Sequence, residues 1–531
     1  MSELANGWIK RVSVTPPSLE DNTADADRLE RALMAILKAE MVDIALPVLV
    51  NLPELLRKGN YNLRCVLFKD HKKWRLSGIS SDDSDRLTGL AVDLGTTTVV
   101  LRLLDLSTGL VLAESSFINP QISIGSDILT RLHFAEKEKG LYELNRLIIE
   151  GLNRAIAELC KSCKIKPSDI YLLSVAGNTS MTHLFLGLNP RWIIREPYIP
   201  VTNRPGCTSA RELGITVNKS AGVFIFPNTG SYFGGDLIAG ILYSGLNRGE
   251  STSILVDVGT NAEVVLGNKN WLVACAGAAG PALEGGVTKM GMMAGPGVID
   301  RVSVDPETGL FSIHTIEDLP PKGICGSGII DLAAALFLSG RIDIRGKFVS
   351  DACGARLIEK DGLKHFIVIS AEESPEGFDL TISQADIDSL IRSKAAMHTI
   401  LETISSYVGI SLSELSTFYV AGTFGSLINP RSAITIGMMP DLPEGTYKSI
   451  GNSSLEGAAM ILKDCRLMDE IDAIRNSITY IELNVNQDFM NRFSAARFLP
   501  HTNLSLFPSV KSDGLVKNLK VVTPVKTGVQ K

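Results

Sequence analysis

The sequence lacks the long apolar run that a membrane-spanning helix requires. No stretch of its 531 residues approaches eighteen uninterrupted apolar residues, and its first residues, MSELANGWIKRVSV, contain no apolar signal core. A helix needs about 20 mostly apolar residues to cross a bilayer, and a secretory signal needs a compact apolar centre. We therefore expect a cytoplasmic protein that makes no use of a membrane.

The sequence also lacks an excess of positive charge. It has 52 lysines and arginines against 58 aspartates and glutamates, which gives a net charge of −6. Proteins that bind nucleic acid neutralise phosphates with clustered basic side chains. The charge balance therefore argues against a nucleic-acid partner.

A third missing feature is the P-loop, because the string G-x-x-x-x-G-K-[ST] occurs nowhere. That loop is a common phosphate cradle, so any nucleotide must be held in another way. Eight cysteines are scattered through a long chain without a secretion signal. Free thiols in a reducing compartment are therefore the expected state.

What the sequence does contain is an alternation of apolar strands, glycine turns and long helices, which indicates an α/β fold. Its length exceeds what one hydrophobic core usually supports. A strand is predicted over Trp8–Val14 and an amphipathic helix over about Asp25–Glu40, and longer helices over Leu141–Cys160 and Gln384–Val408. The charged stretch Ser80–Asp85 is typical of a linker.

One strand–turn–strand pattern occurs twice. Residues Gly89–Val100 read GLAVDLGTTTVV, and residues Ile254–Val265 read ILVDVGTNAEVV. In both copies an apolar strand carries an aspartate near its end, a glycine turns the chain and a second apolar strand follows. Two copies are too few for a solenoid, so duplication of a whole subdomain is the better interpretation.

Both turns have the residue types that hold phosphate. Glycine lets backbone N–H groups approach an anion closely, and the neighbouring side chains can add donors. The aspartates would repel a phosphate, so they make sense only if Mg²⁺, directly or through water, lies between the two. A single copy is also compatible with an ordinary β-hairpin turn. The candidate residues are Asp93 and Asp257 for Mg²⁺, and Gly95, Thr96, Thr97, Gly259, Thr260 and Asn261 for phosphate.

A third segment, Phe418–Gly425, reads FYVAGTFG and predicts a strand, a glycine-rich turn and a helix. Small residues at such a turn would let a purine or ribose lie against the backbone. On its own this is also a common connection between a strand and a helix. The candidate residues are Gly422, Thr423, Phe424 and Gly425.

Together the three segments resemble the phosphate-1, phosphate-2 and adenosine motifs of the acetate and sugar kinase/Hsp70/actin superfamily. The resemblance implies two RNase H-like subdomains that close over ATP. Pro227–Asp236 and Gly451–Ala459 stand where the superfamily has its two connecting helices. Several sugar kinases carry a catalytic aspartate before phosphate-2, which makes Asp236 the candidate for orienting a nucleophile. A helix N-cap is the alternative role for Asp236.

More specific strings resemble the reductive activators of corrinoid proteins, a family that uses ATP to help reduce inactive Co(II) to methyl-accepting Co(I). The resemblance runs from about residue 10 to residue 507. The strings are Pro17–Asn22, Gly177–Leu188, Ala278–Gly285, Gly323–Gly328, Gly425 with Ile436–Asp441, and Ile481–Leu483.

The resemblance also implies the domain organisation, an α/β fold with duplicated RNase H-like subdomains of the actin/Hsp70/sugar-kinase type. A small N-terminal α+β linker domain is expected over residues 1–87. Subdomain I is expected over 88–250, with 441–508 returning to it, and subdomain II over 251–440. Residues 509–531, with five lysines and one aspartate, are expected to form a flexible basic tail.

The chain departs from the family at its start. These activators usually begin with a plant-type [2Fe–2S] domain of C-x₄-C-x₂-C…C spacing, and no three cysteines here have that spacing. Cys160 and Cys163 are the only close pair and are interpreted as structural. Cys325, in a glycine-rich turn, is interpreted as a small buried residue. We therefore expect no iron–sulfur cluster in this chain.

The resemblance therefore implies an ATP-dependent, Mg²⁺-dependent ATPase that activates a corrinoid protein or corrinoid methyltransferase system. A separate ferredoxin-like protein would deliver the electrons, and relatives suggest a homodimer. Two other functions remain open from the residues. One is a small-molecule kinase of the same fold with Asp236 as general base, and the other is a regulatory ATP-binding module.

Overall fold

The computed structural model describes residues 4–70, 73–259, 261–278, 290–305, 310–375, 377–425, 427–483 and 487–512. Backbone contacts divide the chain into two units. Unit 1 comprises residues 1–248, 269–272 and 452–480, and unit 2 comprises 249–268, 273–451 and 481–531. Of the return to subdomain I predicted over 441–508, residues 452–480 lie in unit 1, whereas 441–451 and 481–508 lie in unit 2. Within the described residues, no helix is both long and apolar enough to span a bilayer.

The N-terminal part of unit 1 is a four-stranded sheet with two helices. Its elements are β1 (Ile9–Ser13), α1 (Asp25–Leu37), β2 (Val42–Ile44), α2 (Leu46–Lys58), β3 (Asn62–Asp70) and β4 (Lys73–Ser80). The strand order is β1-β3-β4-β2. The predicted amphipathic helix is α1, whose Leu29 and Leu33 are fully buried. It ends where Lys38 adopts a left-handed conformation.

The larger part of unit 1 is built on a six-stranded sheet of order β7-β6-β5-β8-β10-β9. Its core is formed by apolar side chains of these strands and of the helices that cover them. The elements are β5 (Thr88–Leu94), β6 (Thr98–Asp105), β7 (Val111–Ile118), α3 (Ile128–Ala135), α4 (Gly140–Ser162), β8 (Ile170–Gly177), α5 (Thr179–Leu186), β9 (Gly206–Ser209), β10 (Gly222–Ile225) and α6 (Gly235–Ser244).

The next elements along the chain lie mainly in unit 2. They are β11 (Ser253–Val258), β12 (Asn261–Asn268), β13 (Trp271–Ala278), β14 (Val298–Val304), β15 (Phe311–Thr315), β16 (Gly323–Ile324), α7 (Gly326–Leu338), α8 (Ser350–Cys353), β17 (Leu357–Lys360), β18 (Leu363–Ile369), β19 (Leu380–Ser383), α9 (Gln384–Tyr407), β20 (Thr417–Ala421), α10 (Gly422–Gly425), α11 (Pro430–Thr435) and β21 (Tyr447–Gly451). The last are α12 (Ser453–Lys463), α13 (Leu467–Ser477), β22 (Ile478–Ile481), α14 (Gln487–Ala496) and α15 (Pro508–Ser512). Helices α12 and α13 belong to unit 1.

The main sheet of unit 2 repeats the strand order of unit 1. Strands β13-β12-β11-β20-β21 follow one another as β7-β6-β5-β8-β10 do. In both sheets the first strand of the hairpin pairs antiparallel with the second and parallel with a later strand. The predicted duplicated α/β fold is therefore confirmed.

The eight cysteines are all free thiols. Cys160 and Cys325 are buried, with 1% and 4% of their surface exposed. Two sequence predictions fall partly outside the described residues. They are the string Ala278–Gly285, of which only Ala278 has a described backbone, and the basic tail, which is described only as far as Ser512.

Candidate functional site

The turn between β5 and β6 is too tight for any residue but glycine at position 95. A Cβ atom added to Gly95 would lie 2.1 Å from the carbonyl oxygen of Thr98. The carbonyl oxygen of Gly95 accepts a hydrogen bond of 3.0 Å from Nδ2 of Asn119. The backbone N–H of Asn119 also donates to the carbonyl oxygen of Thr97 over 2.8 Å. Asn119 therefore holds the turn through its backbone and its side chain, while the Thr97 side chain is exposed.

Asp93, the penultimate residue of β5, is held by two donors from the start of α12. Its carboxylate accepts hydrogen bonds of 2.8 Å from Nδ2 of Asn452 and of 2.8 Å from Oγ of Ser454. Burial raises the pKa of Asp93, and the two hydrogen bonds oppose this rise by favouring the ionised form. A carboxylate in this state gains from a cation beside it.

The nitrogen and the oxygen of the Asn452 side chain bind different partners. Its Oδ1 accepts a hydrogen bond from the backbone N–H of Leu455 and so caps α12. Because the cap fixes the oxygen on the helix, Nδ2 is directed to Asp93. The position of α12 is thereby coupled to the carboxylate.

Asn178 has the same double role at the neighbouring turn. Its Oδ1 accepts from the backbone N–H of Met181 at the start of α5, and its Nδ2 donates to Oγ1 of Thr96 over 3.1 Å. The Thr96 hydroxyl thus accepts a bond from Asn178 and keeps its own proton to donate. This arrangement suits a hydroxyl that binds a phosphate oxygen.

Asp236 lies close to Asn178 and the end of β8. It is half-buried in the first turn of α6, and its Oδ1 accepts from the backbone N–H of Leu237. The helix N-cap is Gly234. A Cβ added to Gly234 would lie 2.4 Å from Cα of Asn178, so α6 begins directly against the residue that binds Thr96.

In unit 2, the strand pairing brings Asp257 beside the predicted adenosine segment. Asp257 of β11 lies opposite Ala421 at the end of the parallel strand β20. The next residue, Gly422, has a positive φ of 85°, and an added Cβ would lie 2.9 Å from Oδ1 of Asp257. Only glycine allows the chain to pass the carboxylate this closely.

The other candidates of unit 2 are placed only in part. The backbone N–H of Gly259 donates to the carbonyl oxygen of Asn261 over 2.9 Å, which closes the turn. Thr260 lies outside the described residues, as do the side chains of Thr423 and Phe424. Gly425 ends the short helix α10, where a Cβ would lie 2.5 Å from Cγ1 of Val420.

The structure thus adds three residues that were not among the sequence candidates: Asn178, Asn452 and Ser454. The signal for Asn178 and Asn452 is the asparagine N-cap before α5 and before α12, and Ser454 lies two residues after the second cap. What an N-cap pattern cannot reveal is the partner of the side chain's other end. Asn452 and Asp93 are 359 residues apart in the sequence.

The chain matches three models of one protein family. Residues 8–86 match the RACo linker region, residues 88–249 the RACo middle region, and residues 251–511 the C-terminal domain of RACo, described as the ASKHA domain. ASKHA denotes the acetate and sugar kinase/Hsp70/actin superfamily. The chain belongs to the RACo family.

Two named relatives and one solved structure are similar over most of the chain. The corrinoid activation enzyme RamQ of Eubacterium limosum is 33% identical over 78% of this chain and 70% of its own. The [Co(II) methylated amine-specific corrinoid protein] reductase of Methanosarcina barkeri is 23% identical over 76% and 75%. The structure of a reductive activator for corrinoid, iron-sulfur protein is 38% identical, with a TM-score of 0.85 over 96% and 83%. The predicted family and fold are confirmed.

Proposed function

We propose that this chain is an ATP-dependent reductive activator that assists the Co(II) to Co(I) reduction of a corrinoid protein or corrinoid methyltransferase system. The observation that carries the proposal is the family match over residues 8–511, which includes both aspartate–glycine turns. The relatives that are named for a corrinoid activity support a corrinoid protein as the partner.

The proposed nucleotide site uses the residues whose geometry suits a phosphate and its cation. Asp93 and Asp257 would hold Mg²⁺, which offsets phosphate charge when it is bound. The turns Gly95–Thr97 and Gly259–Asn261 would hold phosphates, and Gly422–Gly425 the adenosine. The fit rests on glycines that a Cβ would block and on a carboxylate that burial leaves in need of a cation.

We propose a separate ferredoxin-like protein as the electron donor and no iron–sulfur cluster on this chain. Cluster ligation requires cysteine thiolates. No three of the cysteines have the C-x₄-C-x₂-C spacing of a plant-type cluster, and Cys65 and Cys160 are buried. We also propose a homodimer, by analogy with relatives, and in it neither chain would carry a cluster.

A nucleotide-driven change of ordinary size would be large enough to matter for a cobalt couple. Coupling between two sites is typically about 1–3 kcal/mol. For a one-electron couple, a tenfold change is about 59 mV or 1.4 kcal/mol, so this coupling corresponds to roughly 40–130 mV. Such a shift would assist an external reductant without a redox centre on this chain.

The deciding experiment measures phosphate release with corrinoid proteins in the Co(II) and Co(I) states. We expect slow release that rises with the Co(II) form, because a partner that prefers one nucleotide state must shift the nucleotide equilibrium. Asp93→Asn should abolish the rise by weakening Mg·ATP binding. A mixed metabolite pool is followed in parallel by mass spectrometry. A phosphorylated metabolite without any corrinoid response would favour a small-molecule kinase, with Asp236 as the base.

A further inference from the structure

Three side chains of unit 2 form a compact set of metal-binding groups away from the residues described above. They are His398, Glu402 and His501, and one ligand atom of each lies within 4.8 Å of the other two. His398 and Glu402 are four residues apart on α9, so they project from one face of the helix. His501 comes from the segment that follows α14.

The two histidines lack the hydrogen bonds that a core histidine normally makes. Neither ring nitrogen of His398 nor Nε2 of His501 has a partner among the described residues, although the side chains are only 2% and 7% exposed. Such nitrogens are costly to bury. His183 provides the contrast, since its ring bonds to the carbonyl oxygen of Thr179 (2.7 Å) and the backbone N–H of Val201 (3.0 Å).

The ligand types suit a metal ion. A neutral imidazole binds metals through a ring nitrogen, and both rings have a buried nitrogen without a hydrogen-bond partner among the described residues. Glu402 supplies the negative charge. Nη1 of Arg492 lies 3.0 Å from Oε1 of Glu402, and such a partner orients a metal-binding carboxylate.

We propose that His398, Glu402 and His501 bind one divalent transition-metal ion, with Zn²⁺ the best match. Imidazole nitrogens and a carboxylate oxygen are ordinary zinc ligands, and three protein ligands leave a fourth position for water. The ion would join α9 to the segment around His501. Its role is a staple for the C-terminal part of unit 2.

Lys394 is a cation on the same helix, one turn before His398. Its Nζ donates to the carbonyl oxygens of Phe498 and Pro500, both at 2.6 Å. Burial lowers the pKa of Lys394 to about 7, so the charge that would oppose an ion is removed as the pH rises above neutral. The same lysine already ties α9 to the segment that carries the third ligand.

One hydrogen bond changes when the ion binds. The backbone N–H of Asn503 donates to Nδ1 of His501 over 3.0 Å, which places the ring proton on Nε2. Ligation through Nε2 moves that proton to Nδ1, which can then no longer accept from Asn503, so this bond is lost and the Asn503 N–H turns to another acceptor such as water. A metal–nitrogen bond is much stronger than one backbone hydrogen bond, so the exchange favours ligation.

The test uses the full chain, stripped with a chelator and titrated with Zn²⁺ or Co²⁺ without nucleotide. We expect one tightly bound Zn²⁺ per chain after gel filtration, and Co²⁺ absorption bands of a nitrogen- and oxygen-ligated ion. His398→Asn and Glu402→Gln should each weaken Co²⁺ binding more than tenfold. The exposed His133→Asn is the matched control and should leave binding unchanged.

Two results would overturn the proposal. Wild-type protein that takes up no stoichiometric ion would show that the three groups surround buried water instead, and this measurement requires no variant to fold. An ion that remains bound at full affinity in both His398→Asn and Glu402→Gln would have to sit elsewhere. Neither outcome depends on corrinoid activation, so the test is independent of the proposed function.

Discussion

Replacing Ser454 with alanine tests whether α12 keeps Asp93 in its metal-binding state. The Ser454 hydroxyl donates to Oδ1 of Asp93, and Asn452 donates to Oδ2. These bonds favour the ionised carboxylate, whereas burial disfavours it and leaves the pKa of Asp93 raised. Without the hydroxyl, one of the two opposing bonds is lost, so the pKa of Asp93 should rise further.

The size of the effect follows from the strength of one hydrogen bond to a charged group, about 1.5–3 kcal/mol. One pKa unit corresponds to about 1.4 kcal/mol, so the full loss would be roughly one to two pKa units. A small part of Asp93 remains exposed, so water can replace part of the lost bond. We therefore expect the lower end, about one pKa unit.

The assay is calorimetric titration with Mg·ATP over a series of pH values. Proton and Mg²⁺ compete for the same carboxylate, so affinity should fall as the pH drops through the pKa of Asp93. In Ser454→Ala this fall should begin about one pH unit higher. Ser453→Ala is the matched control, since it lies in the same turn of α12. Superimposable pH profiles for wild type and Ser454→Ala would refute the reasoning.

Three further predictions concern stability and charge. Gly457→Ala should lower both the urea midpoint and Mg·ATP affinity, because its Cβ would lie 2.2 Å from the Ala239 carbonyl oxygen. Overpacking costs about 1–3 kcal/mol, whereas the gain in helix propensity is roughly 1 kcal/mol. The control Gly445→Ala, which has open space around it, should change neither the urea midpoint nor the Mg·ATP affinity. The urea midpoint of the wild type should increase as the pH is raised above about 7. Burial lowers the pKa of Lys394 to about 7, so the unfolded chain holds this proton more tightly than the folded chain does. An equal increase in Lys394→Met would contradict this explanation. Asp257→Asn should weaken Mg·ATP binding in calorimetry by removing a negative charge, and unchanged affinity would exclude Asp257 from the site.

The local elements could be predicted because their signals are local. Helix α9 was predicted over Gln384–Val408 and occupies Gln384–Tyr407. It begins at a capping box, in which the Ser383 hydroxyl accepts from the N–H of Asp386 and the Asp386 carboxylate accepts from the N–H of Ser383. Apolar periodicity defines the buried face, and the cap defines the start. Both are properties of neighbouring residues.

The partners of the aspartates could not be predicted in the same way. Asn452 and Ser454 reach Asp93 only because α12 belongs to the same unit as β5. The sequence marks Asn452 as the cap of a helix, but the residue that receives its Nδ2 is decided by packing. The unpartnered ring nitrogens of His398 and His501 are a similar case, since burial without a hydrogen-bond partner is a tertiary property.

A second repeated segment, Val-Ala-Gly, explains why each aspartate lies near a glycine. We call the end of the parallel strand that carries this glycine the glycine corner. Val175-Ala176-Gly177 ends β8, and Val420-Ala421-Gly422 ends β20 and starts α10. The strand registers place Asp93 opposite Ala176 and Asp257 opposite Ala421. The duplication therefore includes the parallel strand as well as the hairpin, and it recreates the same corner in each unit.

The two corners have nevertheless diverged, and the divergence separates the roles of the aspartates. After the first corner, Asn178 caps α5 and binds Thr96, while Asp93 is held by donors from α12. After the second, Gly422 brings the backbone itself against Asp257. Protonation should therefore control the first corner, because hydrogen bonds and burial compete at Asp93. At the second corner, the affinity for Mg·ATP should depend on the negative charge of Asp257 and on the close backbone. The pH series therefore tests Asp93, and the charge substitution tests Asp257.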